Sequence, residues 1–274
     1  MNILSSVQSV TRYAPTPITP FPPPLPTSFI YLNFNSFTGN GTSGGNITNS
    51  GSDTGNVAQY KNFFITGNSF TSGAGNVITG NSLVMVTSPA AAYTGCFYPG
   101  GAPSASGNLY LSPFATGFTV AFWFKVNSTT NTYPCLFCYG VGSQRLIVGF
   151  QIDGTVNTLY VNAPNVNIRL NVKYVGGSSV SPYLINTPYN YVEGSMNHLG
   201  WSISPNGSQI ITINGQQWNT SVKVSGTVAN NAKFYIGVET NPALAPYING
   251  NVDEFYLFKT ALSLTQLQAL YYFP

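Results

Sequence analysis

The chain reads as an all-β protein, two antiparallel sheets packed face to face and closed by one short C-terminal helix. Three observations predict this. Stretches of alternating apolar and polar residues recur, most sharply in Gly117–Val126, and a period of two marks a strand with one dry face. Turn chemistry separates these stretches, including an Asn214-Gly215 pair of the kind that favours a tight hairpin. A convincing helical period occurs once, at the C-terminal end. Many short strands with turn signals between them argue for a sandwich.

Taken in order, residues 14–27 (APTPITPFPPPLPT) hold seven prolines in fourteen positions. Proline fixes φ and removes an amide donor, so residues 1–28 are expected to form an extended arm outside the sheets. The arm is either a spacer or a peptide that docks on a partner. The folded domain is expected over residues 29–274, opening with FIYLNFN as a first strand. Gly39–Asn56 has little to bury and reads as a long surface loop, and similar turn-rich sequence separates Phe63–Ile65 from Ser82–Val86.

In Gly117–Val126, Phe118, Val120, Phe122, Phe124 and Val126 share one face, with Thr119, Trp123 and Lys125 on the other. Further strands are expected at Arg145–Ile152, Thr158–Val161, Val166–Tyr174, His198–Ser204, Gln209–Ile213, Gln217–Val224, Lys233–Val238 and Val252–Phe258. The helix follows from Ser263 as its cap and Gln266 in capping-box position. Leu264, Leu267, Leu270 and Tyr271 then make one apolar face that must dock on a sheet.

Composition narrows the function. Charged residues make up 5% of the chain, against about 25% in ordinary globular proteins. The surface must be built from Asn, Ser, Thr and Gly, which stays wettable yet favours association; this points to work within an assembly. Nine basic residues are scattered rather than gathered, so no stripe for phosphate backbones exists and nucleic acid is not an expected partner. Met1–Arg12 lacks the pattern of a signal peptide, and runs such as Leu83–Val86 are too short to span a bilayer. No membrane insertion is expected, and synthesis is expected in the cytoplasm.

Three longer stretches resemble a known family. GFTVAFWFKVNSTT (117–130), NHLGWSISPNGSQIITINGQ (197–216) and FYIGVETNPALAPYINGNVDEFYLFKTALSLTQLQALY (234–271) are similar to the ordered signatures of laminin G-like, concanavalin A-like jelly rolls. The resemblance implies a jelly-roll sandwich of the lectin and glucanase type. It also makes Asp253 a structural residue or the site of a weak calcium ion, and its place after Asn249-Gly250 lets its carboxylate bind loop amides; no other cofactor is expected. Residues 162–196 exceed what a minimal member needs, which suggests an inserted hairpin ending near Tyr183, Tyr189 and Tyr191.

Catalysis finds little support in the residues. A glycosidase needs two carboxylates on one face, and no E-x-D pattern places them two apart on a strand. Asp253 and Glu254, being adjacent, are expected to point to opposite faces. No catalytic residue is therefore assigned. Cys135 and Cys138 form a CxxC in strand-like sequence, and with Cys96 and His198 a zinc site is conceivable. Buried thiols and a packed histidine are the stronger reading. Three cysteines make no disulfide framework. Sequons begin at Asn40, Asn46, Asn127, Asn206 and Asn219, as chance provides in so Asn-rich a chain.

Recognition remains. Loop-borne aromatic rings suit sugars, and the expected patch joins Trp218, after the Asn214-Gly215 turn, with Tyr247 and Asn249. Two function classes follow. One is a structural surface protein, resembling a virion component of a large DNA virus. Its jelly roll would be displayed on the particle surface, capsid-associated, and its arm (residues 14–27) anchored on other structural proteins. The alternative is a glycan-binding lectin module for attachment, and a weaker third reading is a divergent glycosidase.

Overall fold

A computed structural model describes residues 24–35, 46–47, 49–52, 58–61, 64–85, 95–98, 115–129, 135–141, 144–153, 156–163, 166–171, 195–218, 223–225, 234–237 and 248–274. Its strands are β1 (Ile30–Leu32), β2 (Asn46–Ile47), β3 (Ala58–Lys61), β4 (Phe64–Thr71), β5 (Val77–Met85), β6 (Gly95–Tyr98), β7 (Phe118–Thr129) and β8 (Cys135–Val141). They continue with β9 (Gln144–Asp153), β10 (Val156–Ala163), β11 (Val166–Asn171), β12 (Asn197–Ile203), β13 (Gln209–Ile213), β14 (Gln216–Trp218), β15 (Phe234–Ile236) and β16 (Ile248–Phe258). The helix among the described residues is α1 (Leu264–Tyr272).

Two antiparallel sheets result. The first runs β14-β13-β12-β7-β16-β5-β4, with β1 also on β16; the second runs β11-β10-β9-β8-β15-β6-β3-β2. Their inner faces share one core. Phe118, Val120, Phe122, Phe124 and Val126 of β7 meet Leu136, Phe137, Tyr139, Leu146 and Val148 of the second sheet there, as the period-two pattern requires. Phe122, Phe137 and Phe234 all pack on Phe255 at ring separations of 5.3–5.9 Å.

The outer face of the first sheet is dry where α1 covers it. Ala121, Phe258, Leu262, Leu267 and Leu270 form a second cluster beneath α1, and every residue of β12 is buried as a result. Ser263 caps the helix in a full capping box with Gln266. Asn214 and Gly215 both take positive φ, 47° and 74°, as a type I′ turn demands.

Several boundaries differ from the sequence reading. The turn-rich stretch after Phe63 is strand: β4 and β5 pair in continuous register from Phe64–Val84 to Thr71–Val77. Cross-strand hydrogen bonds override its glycines and asparagines, whose low strand propensity is a weak prior. Within Gly39–Asn56, Asn46 and Ile47 pair with Gln59 and Ala58. Of the strand expected at Gln217–Val224, Gln217 and Trp218 lie in β14, Val224 instead donates its amide to Gly207 O at 2.9 Å, and residues 219–222 lie outside the described residues. β10 and β11 form a hairpin at the start of the excess segment. Residues 172–174 and the tyrosines 183, 189 and 191 lie outside the described residues, as do residues 1–23.

Candidate functional site

The most unusual geometry lies on β16, where two residues oppose one. Asp253 pairs with Trp123 and Tyr256 with Ala121, so Glu254 and Phe255 together face the single residue Phe122. This is a β-bulge. Glu254 carries its strain, with φ at +46°, a left-handed conformation uncommon for any residue but glycine.

The bulge changes side-chain parity, and this corrects the expectation for the two acids. Asp253 shares the outer face with Trp123, its cross-strand partner, and the Glu254 carboxylate reaches the same face. There its Oε2 accepts the hydroxyls of Tyr31 at 2.6 Å and Tyr256 at 3.1 Å. Tyr31 and Tyr256 are themselves a cross-strand pair, stacked at 4.4 Å with 4° between their planes. Both rings are half-buried, whereas Glu254 is 5% exposed. Burial pushes the Glu254 carboxyl up from the usual range, against the pull of the two phenols. Burial and then the carboxylate in turn push both tyrosines well above their ordinary value.

Asp253 Oδ1 accepts the Glu254 amide at 2.9 Å and so holds the bulge, as a carboxylate beside a backbone amide can. Two carboxylates thus stand on one face. Asp253 has already given an oxygen to the backbone, however, and phenols enclose Glu254. Around them lie further polar side chains: Asn251 donates to Ser82 Oγ at 2.9 Å, and Asn35 Oδ1 accepts the Asn81 amide at 2.6 Å. The arrangement offers fixed aromatic faces and oriented acceptors rather than an acid and base across a cleft.

The residues proposed from sequence do not converge. Trp218 lies on edge strand β14, aligned through Ile211, Trp201 and Val120 with Leu257. Asn249 pairs with Ser128, eight residues along β7 from Val120 and four strands from β14. The two backbones are therefore on the order of 30 Å apart, at about 4.8 Å per strand and 3.3 Å per residue. Tyr247 and the side chains of Trp218 and Asn249 lie outside the described residues.

Cys135 and Cys138 are buried with Ile147 in a small cluster on β8 and β9. Their side chains come together because β8 also bulges, between Cys135 and Phe137. Burial pushes the Cys135 thiol up, and it donates to Phe137 O at 3.2 Å, so both fit the reading as inert packed thiols. His198 sits on the other sheet. Among the described residues no three of His, Cys, Asp and Glu gather to hold a metal.

Sequence reasoning missed Tyr31 and Tyr256, which look like ordinary strand residues. The available signal was an adjacent acidic pair inside an apolar strand, which is costly to bury without partners.

The family model of the Concanavalin A-like lectin/glucanases superfamily matches residues 100–268. No curated protein matches the chain. The botulinum neurotoxin serotype G binding domain superposes with a TM-score of 0.57 at 12% identity, over 89% of this chain and 50% of that one. Domain 4 of AbnA, an extracellular GH43 arabinanase from Geobacillus stearothermophilus solved with arabinotriose, gives 0.51 at 18%, over 89% and 98%. The Trypanosoma rangeli sialidase gives 0.56 at 14%, over 95% of this chain but 36% of that one. At such identities the likeness is one of fold.

Proposed function

We propose that this chain, which belongs to the Concanavalin A-like lectin/glucanases superfamily, is a non-catalytic module that binds carbohydrate. The stacked Tyr31–Tyr256 pair, tied through both hydroxyls to one oxygen of Glu254, is the observation that carries this reading. Sugars present apolar C–H faces that pack on aromatic rings and hydroxyls that seek oriented polar groups. Glu254 keeps the rings in place and retains Oε1 for a further donor. The likeness to a toxin binding domain and to an arabinanase domain solved with arabinotriose supports the same reading.

Trp218 on its edge strand, Asn249 near the start of β16, and Tyr247, which precedes that strand in sequence, enter this proposal as separate contacts. A ring–sugar contact contributes roughly 1 kcal/mol, by analogy with aromatic pairs, so one domain binds weakly and useful attachment needs many copies. Display on a virus-like particle, with residues 14–27 anchoring the domain on other structural proteins, would supply them. The low charged fraction supports that extension.

A glycan array probed with the full chain tests the proposal. Retention of a defined glycan is expected, weakened at least several-fold in Tyr256→Ala, Trp218→Ala or Tyr247→Ala variants that melt normally. No retained glycan would remove the lectin reading, and variants that bind unchanged would remove these residues as its contacts. Hydrolysis of a retained glycan that vanishes in Asp253→Asn and Glu254→Gln would instead make the protein a glycosidase.

A further inference from the structure

Beneath the last turn of α1, four elements enclose one imidazole. His198 of β12 is fully buried, with Trp123 of β7 at 5.3 Å and Tyr271 of α1 at 5.9 Å between ring centres. Trp123 also packs on Tyr271 at 5.5 Å and on Phe70 of β4 at 4.6 Å. The β4–β5 tip reaches this place because Gly73 donates its amide to Tyr271 O at 3.1 Å.

Polar atoms in this box lack partners. Neither nitrogen of His198 is hydrogen-bonded, nor are Trp123 Nε1 and Thr212 Oγ1. Trp201, by contrast, donates its indole N–H to Gln209 at 3.0 Å. Native interiors rarely leave such groups unpaired, and a cluster of them calls for a cause.

We propose that the box is an acid-sensitive latch: a proton on His198 expels the last turn of α1 and the β4–β5 tip from the sheet, while the sandwich stays folded. An imidazolium carries two N–H donors and needs acceptors. What faces it supplies no carboxylate to pair with the charge, and of the neutral oxygens nearby Asn214 Oδ1 already accepts the His198 amide at 2.8 Å. β7 presents Trp123 and, further along the same face, Lys125; β13 presents Thr212 and Asn214; α1 presents Tyr271 and Tyr272, with no charged residue in its first or last turn. The β4–β5 tip presents Phe70, Ser72 and the Gly73 backbone. On β16, Asp253 is opposite Trp123, one strand beyond, with Oδ1 on the Glu254 amide.

The helix end is the part that yields. Its polar ties are the Gly73 amide and Gln268, whose Nε2 donates to Gly215 O at 3.0 Å, whereas β12 is paired on both edges. Burial holds the His198 pKa down to about 3, against an ordinary value of 6.5. Between these values the opened form takes up a proton that the closed form refuses. Closure therefore does not depend on this proton above about pH 6.5, and the open-to-closed ratio rises up to tenfold for each unit below it.

His198 is the chain's only histidine, so its imidazole gives a single set of NMR resonances in the full protein. We expect it to protonate between pH 6 and 4 in step with loss of amide protection at Gln268–Phe273, while Leu199 and Trp201 stay protected. In His198→Phe the helix should remain protected throughout that range, and Asp253→Asn should leave the wild-type profile in place. Three results would overturn the latch: titration near 6.5 with α1 still protected, simultaneous loss in β12 and α1, or a profile that disappears with Asp253→Asn. Because the first two are read on the wild-type chain, a His198→Phe variant that fails to fold does not spare the proposal.

Discussion

Gly215 lies directly against the ring of Tyr271: a Cβ on this glycine would sit 2.5 Å from Tyr271 Cδ1. The type I′ turn between β13 and β14 thus also forms part of the floor for α1. Gly215→Ala should lose about 1–3 kcal/mol, combining left-handed strain with overpacking. Gly75→Ala is the control, since Gly75 has φ +84° but open space around it, and should lose only about 1 kcal/mol. Urea titration of both variants separates the two contributions; equal losses would show that the Tyr271 contact does not matter.

Ser263 should contribute to stability through its cap alone. Its Oγ accepts the Gln266 amide at 3.3 Å, and Gln266 Oε1 returns a bond to the Ser263 amide at 3.0 Å. Ser263→Ala is expected to cost about 1 kcal/mol, read as a lower denaturation midpoint with an unchanged slope.

Glu254 should make stability fall with rising pH. Its folded pKa lies above the unfolded value, so the folded state holds the proton more firmly, and stability drops as pH climbs from the ordinary carboxylate range through the raised one. Glu254→Gln keeps an oxygen for the two phenols and removes the titration. Wild type should gain on the variant as the solution is acidified from pH 7 to pH 4.5. Parallel denaturation midpoints across that range would count against a raised pKa.

Deleting residues 1–27 should change the thermal midpoint by no more than a few degrees. Pro24 O accepts Gln266 Nε2 at 3.1 Å on an exposed surface, whereas Phe29 and Ser28, which the deletion keeps, bond into the fold at Leu257 and Ser52. A single exposed hydrogen bond is worth about 1 kcal/mol at most. Calorimetry that shows outright unfolding would place the arm within the core. Weakened particle incorporation with an intact fold is the result that supports its proposed anchoring role.

The sequence by itself determined the architecture, because its signals are local. Alternation in Phe118–Val126 fixed which side chains enter the core, Asn214-Gly215 placed a turn, and Ser263 with Gln266 started a helix whose leucines had to be covered. Tertiary structure alone decided the site. A bulge at Glu254 turns a second acid to the outer face; the adjacent acids hint at buried partners but not at the shift, since the extra position is defined only against Phe122 on the neighbouring strand. Likewise, Trp218 and Asn249 are separated by register through four intervening pairings, and His198 is sealed by Tyr271, 73 residues later in the chain. Parity, register and burial are relations between strands, and a single strand does not contain them.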